Sequence, residues 1–185
     1  GSKWTLKQSF SLIWKAPFTG QGYVYDAWMG FLAWFLGFPV VVVVEQIADM
    51  FVYGIFGIET YEQVAVRYLK QAFALPQLLL PVLLLILIVA PFLEEFLFRG
   101  LLQSWLKKHL GAKASILLAS LCFSLFHFSF THGVGNFSLI PSLFTFSCFL
   151  GFIYERQKSL MASNILHVTF NLVTTLRIYF MVNSL

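Results

Sequence analysis

Two adjacent carboxylates, Glu94 and Glu95, lie in one of the most apolar parts of the sequence. No charged residue occurs from Leu78 to Val89, just before them, and Arg99 follows one helical turn after Glu95. An ionised carboxylate in hydrocarbon is so costly that each glutamate needs a partner, a proton or water. On a helix, Glu95 and Arg99 share a face and are predicted to form an ion pair. Glu94 is rotated by about 100° from Glu95 and needs a different partner, so we predict a functional role for it.

Further polar side chains occur in two other apolar segments, and they are predicted to lie at the depth of Glu94. Glu94, His127 and Asn171 each lie about 20 Å along a helix from a basic residue that would mark one membrane edge. Those reference residues are Lys107, Lys113 and Lys158. His167 lies one turn before Asn171 on the same helical face. Four polar groups from three segments are therefore expected to converge at one level.

Together these side chains have the chemistry for hydrolysing a peptide bond without a covalent nucleophile. Glu94 and His127 can hold and deprotonate a water molecule. His167 and Asn171 offer side-chain donors at helical spacing, as an oxyanion hole requires. The ion pair of Glu95 with Arg99 would support the site from behind.

The same residues admit other interpretations. Histidine and asparagine in membrane helices often only hydrogen-bond to neighbouring helices. Glu94, His127 and His167 could bind zinc, although the sequence has no His-Glu-x-x-His helix. A hydroxyl or thiol beside His127 could act as a nucleophile, but no third residue at usable spacing would orient it. The candidates are Ser124, Ser129 and Cys122. A proton relay for transport is disfavoured because the sequence lacks two matching halves with broken helices.

The composition indicates an all-α integral membrane protein. Of 185 residues, 59% are hydrophobic and 11% are charged, against about 25% charged in soluble domains. This length accommodates one membrane domain, residues 1–185, with a bundle of about five to seven transmembrane helices plus amphipathic helices at the interface. The net charge of +4 does not indicate nucleic-acid binding, because the basic residues are scattered between apolar segments. Cys122 and Cys148 both lie in apolar runs and are predicted to be packing residues.

The segments follow one another along the chain in a regular order. After Gly1-Ser2, which resembles a cloning scar, residues 3–20 are predicted to form a helix at the membrane interface. Spans are predicted between Asp26 and about Gly57 and over 78–109, 113–130, 137–154 and 160–181. In the first of these, either the span ends near Glu45 or the helix continues with a polar stripe. The long segment 78–109 is one helix or two pieces bent at Pro91, and residues 59–75 are predicted to form an amphipathic helix outside the membrane. The excess of basic residues in alternate connections predicts a cytoplasmic N-terminus.

Three motifs in this order resemble those of the CAAX proteases and bacteriocin-processing enzymes, a family called CPBP or Abi. They are Glu94-Glu95-x-x-x-Arg99, Phe123-x-x-x-His127 and His167-x-x-x-Asn171. The stretch from Gly151 to Arg156 is also similar, so the likeness covers about residues 85–175. The family includes the Ras-converting CAAX endoprotease of eukaryotes.

The resemblance implies a glutamate endopeptidase acting within the membrane. Glu94 and His127 would activate water, His167 and Asn171 would form the oxyanion hole, and Glu95 and Arg99 would shape the site. The likeness implies no metal or other cofactor. The implied partners are membrane lipid and a peptide or protein substrate, either lipid-modified or a leader, bacteriocin or signalling peptide. The compact size is more similar to prokaryotic members, which would place the protein in the plasma membrane. The alternative is a non-catalytic immunity or scaffold protein that binds a peptide or membrane partner with the same fold.

Overall fold

The computed structural model describes residues 22–57 and 64–183. Within these ranges the chain forms helices and no strand, which confirms the predicted all-α architecture. The α-helices are α1 (Gly22–Phe56), α2 (Val64–Ala74), α3 (Pro76–Leu84), α4 (Ala90–Glu95), α5 (Ser104–Phe126), α6 (Asn136–Gln157) and α7 (Leu160–Asn183). Two π-helical segments, Leu85–Val89 and Phe96–Gln103, flank α4, and a 3₁₀ turn, Phe130–Gly135, precedes α6. The predicted interfacial helix over 3–20 lies outside the described residues.

In the part of the chain that the structure describes, four helical stretches are long and apolar enough to cross a membrane. They are Gly22–Phe56, Gln77–Phe126, Phe130–Gln157 and Leu160–Val182. The second is 50 residues long, and it leaves helical geometry at Gly111, where φ is 77° and ψ is 174°. When this stretch is divided at Gly111, the result matches the five predicted segments. The protein is therefore an integral membrane protein, whereas the orientation of its termini stays a prediction.

The first helix, α1, continues well past Glu45. It runs unbroken for 35 residues to Phe56 and contains Pro39, so the helix continues past Glu45, as the second of the two predicted alternatives has it. At about 1.5 Å per residue, α1 is about 52 Å long and exceeds the hydrocarbon core of about 30 Å. Its second half therefore carries Glu45 and Asp49 toward one end of the bundle. The described part of the predicted amphipathic helix is α2, which packs against α3 and α7.

Pro91 does not break the long helix. A proline inside a helix lacks an N–H and clashes with the carbonyl group one turn earlier. Here the preceding turn, Leu85–Val89, is π-helical, and Pro91 then lies in the first turn of α4. The chain thus continues as a helix through the proline, and the two adjacent glutamates end a six-residue α-helical piece between two π-helical segments.

The apolar core lies in the middle of the bundle, where α1, α5, α6, α7 and the second π-helical segment meet. Three aromatic rings are in contact within it, since Phe98 and Phe146 both pack against Phe123. Its buried members are Val41, Phe98, Phe123, Phe146, Leu150, Ile153, Ala162 and Leu166.

Basic side chains meet at one end of the bundle. Glu155 of α6 accepts a hydrogen bond of 2.5 Å from Lys107 Nζ and also contacts Lys158. Lys107 and Lys158 therefore lie at one level, as the depth comparison from the sequence assumed. The depth comparison for these two residues therefore rests on their shared contact with Glu155 as well as on their positions in the chain.

Close packing of α1 requires glycine at position 30. A Cβ atom at Gly30 would collide with the carbonyl oxygen of Ala162 in α7, which belongs to the backbone and cannot move away cheaply. Gly54, in the same helix, has open space around the corresponding position. A side chain is therefore excluded at Gly30 and can be accommodated at Gly54, although both residues lie in α1.

We predict that Gly30→Ala destabilises the protein by about 1–3 kcal/mol, because overpacking outweighs the better helix propensity of alanine. Gly54→Ala should leave stability unchanged or raise it by up to about 1 kcal/mol. Thermal unfolding of both variants in detergent measures the difference. Equal melting temperatures for the two variants would contradict the close approach of α1 to α7.

Candidate active site

The six residues singled out in the sequence come together from three parts of the bundle. Glu94 and Glu95 end α4, and Arg99 lies in the π-helical segment that follows. His127 caps the C-terminus of α5, and the remaining two, His167 and Asn171, lie on α7.

The predicted ion pair is present and completely buried. Arg99 is 1% exposed and Glu95 is 0% exposed, and Arg99 Nη1 lies 3.0 Å from Glu95 Oε1. The other guanidinium nitrogen, Nη2, donates to the Ser147 hydroxyl at 2.6 Å and to the Ser147 carbonyl at 3.1 Å. The guanidinium also lies 4.7 Å from the centre of the Phe123 ring. These contacts replace the water that both charges lose on burial.

Glu95 also fixes the orientation of His167. The same oxygen, Oε1, lies 3.0 Å from Nδ1 of His167. A carboxylate can only accept, so Nδ1 of His167 carries the hydrogen and Nε2 points away from Glu95. Glu95 therefore joins the long helix to α7 and sets which nitrogen of His167 faces the cavity.

His127 is oriented in the same way by its own backbone. Its Nδ1 lies 2.9 Å from the carbonyl oxygen of Phe123, one turn earlier. Because a carbonyl also only accepts, Nδ1 carries the hydrogen and Nε2 is directed elsewhere.

Both free histidine nitrogens converge on Glu94. Nε2 of His127 lies 4.0 Å from Oε1 of Glu94, and Nε2 of His167 lies 3.7 Å from Oε2. These distances exceed direct hydrogen bonds, whose usual limit is about 3.2 Å. The carboxylate and the two rings line a cavity of about 260 Å³ together with Asn171. Glu94 is thus the member of the glutamate pair that faces the cavity.

Asn171 has a second contact that its helical spacing did not reveal. Its Nδ2 donates to the carbonyl oxygen of Ile86 at 3.0 Å. Ile86 lies five residues before Pro91, which is the spacing of a π-helical hydrogen bond, and proline has no N–H to offer. The asparagine side chain supplies the missing donor, which ties α7 to the long helix and leaves one amide hydrogen for other partners.

The structure also places residues at this site that the sequence analysis missed. Ser147 of α6 holds Arg99, and a single serine in an apolar helix carries no distinctive signal. His132 lines the cavity and is 8% exposed, and the sequence analysis did not single it out. Its turn is held by Asn136, whose side chain donates to the carbonyls of Ser129 and Gly133. The signal in the sequence that could have found His132 is its position only five residues after His127.

The structure also places the side chains that the alternative chemistries would use. Among residues 22–57 and 64–183, no three His, Cys, Asp or Glu side chains are placed to hold a metal ion. Ser124 donates to the Leu121 carbonyl of its own helix. Ser129 pairs with Thr131, and Cys122 is exposed on the outside of the bundle. None of the three proposed nucleophiles is seen paired with His127.

A family model for type II CAAX prenyl endopeptidase Rce1-like proteins matches residues 76–173, more than half of the chain. The chain belongs to this family. The match contains all six residues described above. No curated protein and no solved structure was found to match the chain.

We predict that Arg99→Ala lowers the free energy of unfolding by about 3–5 kcal/mol, because it leaves the Glu95 carboxylate buried without its cation. Lys107→Ala is the matched control, since it breaks an ion pair with Glu155 in which the lysine is 38% exposed. That control should cost at most about 1 kcal/mol. Thermal unfolding in detergent measures both, and a similar loss for the two variants would count against the buried pair.

We also predict that Asn171→Ala costs about 1–3 kcal/mol, because the Ile86 carbonyl loses its donor inside the membrane. Asn164→Ala is the control, since the Asn164 side chain donates to Leu160 in its own helix. Amide hydrogen exchange around residues 85–91 gives a second readout, and exchange should accelerate there in Asn171→Ala alone. Unchanged exchange would refute the link between α7 and the π-helical segment.

Proposed function

We propose that this protein is an endopeptidase that hydrolyses peptide bonds within the membrane, using a water molecule activated by Glu94 and His127. One observation carries the proposal: two oriented histidine nitrogens converge on a single carboxylate in a cavity of the bundle. Membership of a protease family supports peptidase activity independently of this geometry.

The separation of Glu94 and His127 suits a shared water. Two polar atoms that each lie about 2.8 Å from one water are themselves about 4.0–4.6 Å apart. The observed distance between His127 Nε2 and Glu94 Oε1 is 4.0 Å. Nε2 of neutral His127 is an acceptor, and so is the carboxylate. A water between them would donate one hydrogen to each and direct a lone pair at the substrate.

The reaction then needs no covalent intermediate. Glu94 takes a proton from the water as the water oxygen attacks the carbonyl carbon of the peptide bond. The carbonyl oxygen becomes an oxyanion in the tetrahedral intermediate. Glu94 returns the proton to the leaving nitrogen as the C–N bond breaks, which yields a carboxylic acid and an amine. His127 accepts the proton that the new acid releases.

Asn171 and His167 are the proposed donors to the oxyanion. Asn171 has one amide hydrogen beyond the bond to Ile86. His167 can donate from Nε2 only when the ring carries both hydrogens, because Nδ1–H is bound to Glu95. Arg99 and Glu95 would thus act as positioning residues, and the two α7 side chains would contact the substrate.

The proposed substrate is a peptide or protein reached from the membrane, with or without a lipid modification. The family description names prenyl endopeptidases, and that makes a lipid-modified chain one candidate. A leader or bacteriocin peptide is the other. We further propose a prokaryotic plasma membrane, a cytoplasmic N-terminus and catalysis without a metal.

The test compares the purified protein with Glu94→Gln on a mixed peptide library, prenylated and plain, read by mass spectrometry. Glu94→Gln should reduce kcat/KM by at least about 10²–10⁴-fold, because the glutamine cannot accept a proton from water. Glu155→Gln, which removes a carboxylate at the far end of the bundle, is the control and should keep activity.

Two further outcomes are informative in this experiment. Activity that survives a chelator supports the water mechanism, and activity lost with the chelator would move Glu94, His127 and His167 to a metal site. If the folded parent protein cleaves no peptide, the non-catalytic binding function replaces the proposal.

A further inference from the structure

A second, larger cavity continues from the candidate active site. It is a groove of about 760 Å³, and it shares part of its wall with the smaller cavity around Glu94, including Phe146, Phe170, Thr174 and Ile178. A segment bound in the groove would therefore be continuous with a segment bound at Glu94.

The groove has charges of opposite sign on its two sides. Glu45 and Asp49, one turn apart on α1, contribute two acids. Arg177 of α7 and Lys70 of α2 contribute two bases. Toward the ends of α1 and α7 the groove thus adds charged side chains to a wall that is still largely apolar. This mixed lining suits a peptide with a charged group better than a hydrocarbon chain, because hydrocarbon cannot solvate the charged side chains.

Arg177 is the side chain best placed to bind part of a ligand. It is exposed, and it forms no hydrogen bond or ion pair with any residue in the described ranges. Glu45 acts on it only as a nearby charge. An arginine in a membrane-spanning helix is costly and faces a cavity or a partner for that reason. Its guanidinium presents a planar set of N–H donors that matches a carboxylate.

The position of Arg177 determines how far from the cleaved peptide bond its bound group would lie. Arg177 lies six residues after Asn171 on α7, which is about 9 Å along the helix axis. An extended peptide covers about 3.3 Å per residue. With the reach of the arginine side chain, a group bound at Arg177 would be about three to five residues from a peptide bond held at Asn171.

We propose that Arg177 binds a carboxylate of the substrate peptide, about three to five residues from the cleaved bond, in the groove that continues from the active site. This inference rests on the proposed hydrolase function. The carboxylate is the C-terminus of the peptide or an Asp or Glu side chain. Glu45 and Asp49 on the opposite side repel the same group and so direct it to the α7 side of the groove.

The test uses peptides with one common cleavable bond that end two to seven residues beyond it, each as a free acid and as a C-terminal amide. Amidated peptides with Asp or Asn at the matching position distinguish a side-chain carboxylate from a C-terminal one. The parent protein should cleave the better carboxylate peptide with a kcat/KM about 10- to 100-fold above its neutral counterpart. Arg177→Gln should abolish that ratio, and Arg177→Lys should retain part of it.

Arg156→Gln is the matched control, because it removes an exposed arginine at the other end of the bundle, and it should keep the parental ratio. An Arg177→Gln protein that cleaves peptides with the parental ratio would overturn the proposal and leave the hydrolase function intact. So would a parent protein with no preference for the carboxylate peptides. Failure of the parent to cleave any peptide would instead overturn the hydrolase function, and this inference with it.

Discussion

The buried carboxylate of Glu95 is the interaction on which the rest of the site depends. One oxygen accepts from Arg99 and from His167, so a single charge connects the long helix to α7. Arg99 in turn binds α6 through Ser147 and lies over Phe123 of α5. In hydrocarbon each of these polar groups is costly when alone, and here each has at least one polar partner. The charge pair therefore brings four parts of the bundle into one arrangement.

The adjacent glutamate is free for chemistry because Glu95 has taken the structural role. Consecutive residues on a helix point about 100° apart, so Glu95 faces the packed interior and Glu94 faces the cavity. The π-helical segments on both sides of α4 and the bond from Asn171 to Ile86 hold this piece of helix against α7. Glu95 and Glu94 are adjacent in sequence but need different surroundings, one packed and one open. The rotation between consecutive helical residues provides both.

Much of this could be predicted from the sequence because spacing along a helix is a local property. The pairing of Glu95 with Arg99 and the shared face of His167 and Asn171 follow from separations of four residues, and both are present. The course of α1 beyond Glu45 was left open, because a polar residue near a membrane edge is compatible with either a helix end or a continued helix. The contacts of Ser147 and His132, and the groove lined by Arg177, depend on which helices are neighbours. No spacing within one segment contains that information.

Asn171 shows how a residue can serve the fold and the proposed reaction together. Pro91 removes a backbone donor from the long helix, and a carbonyl left unsatisfied inside the membrane would be unfavourable. The asparagine that satisfies it comes from the helix that carries His167, one turn earlier. The same hydrogen bond therefore corrects a defect in one helix and fixes the height of α7 relative to Glu94. Since a shift of about 1 Å in a catalytic group is enough to reduce a rate strongly, the proline and the asparagine are best understood as one positioning device.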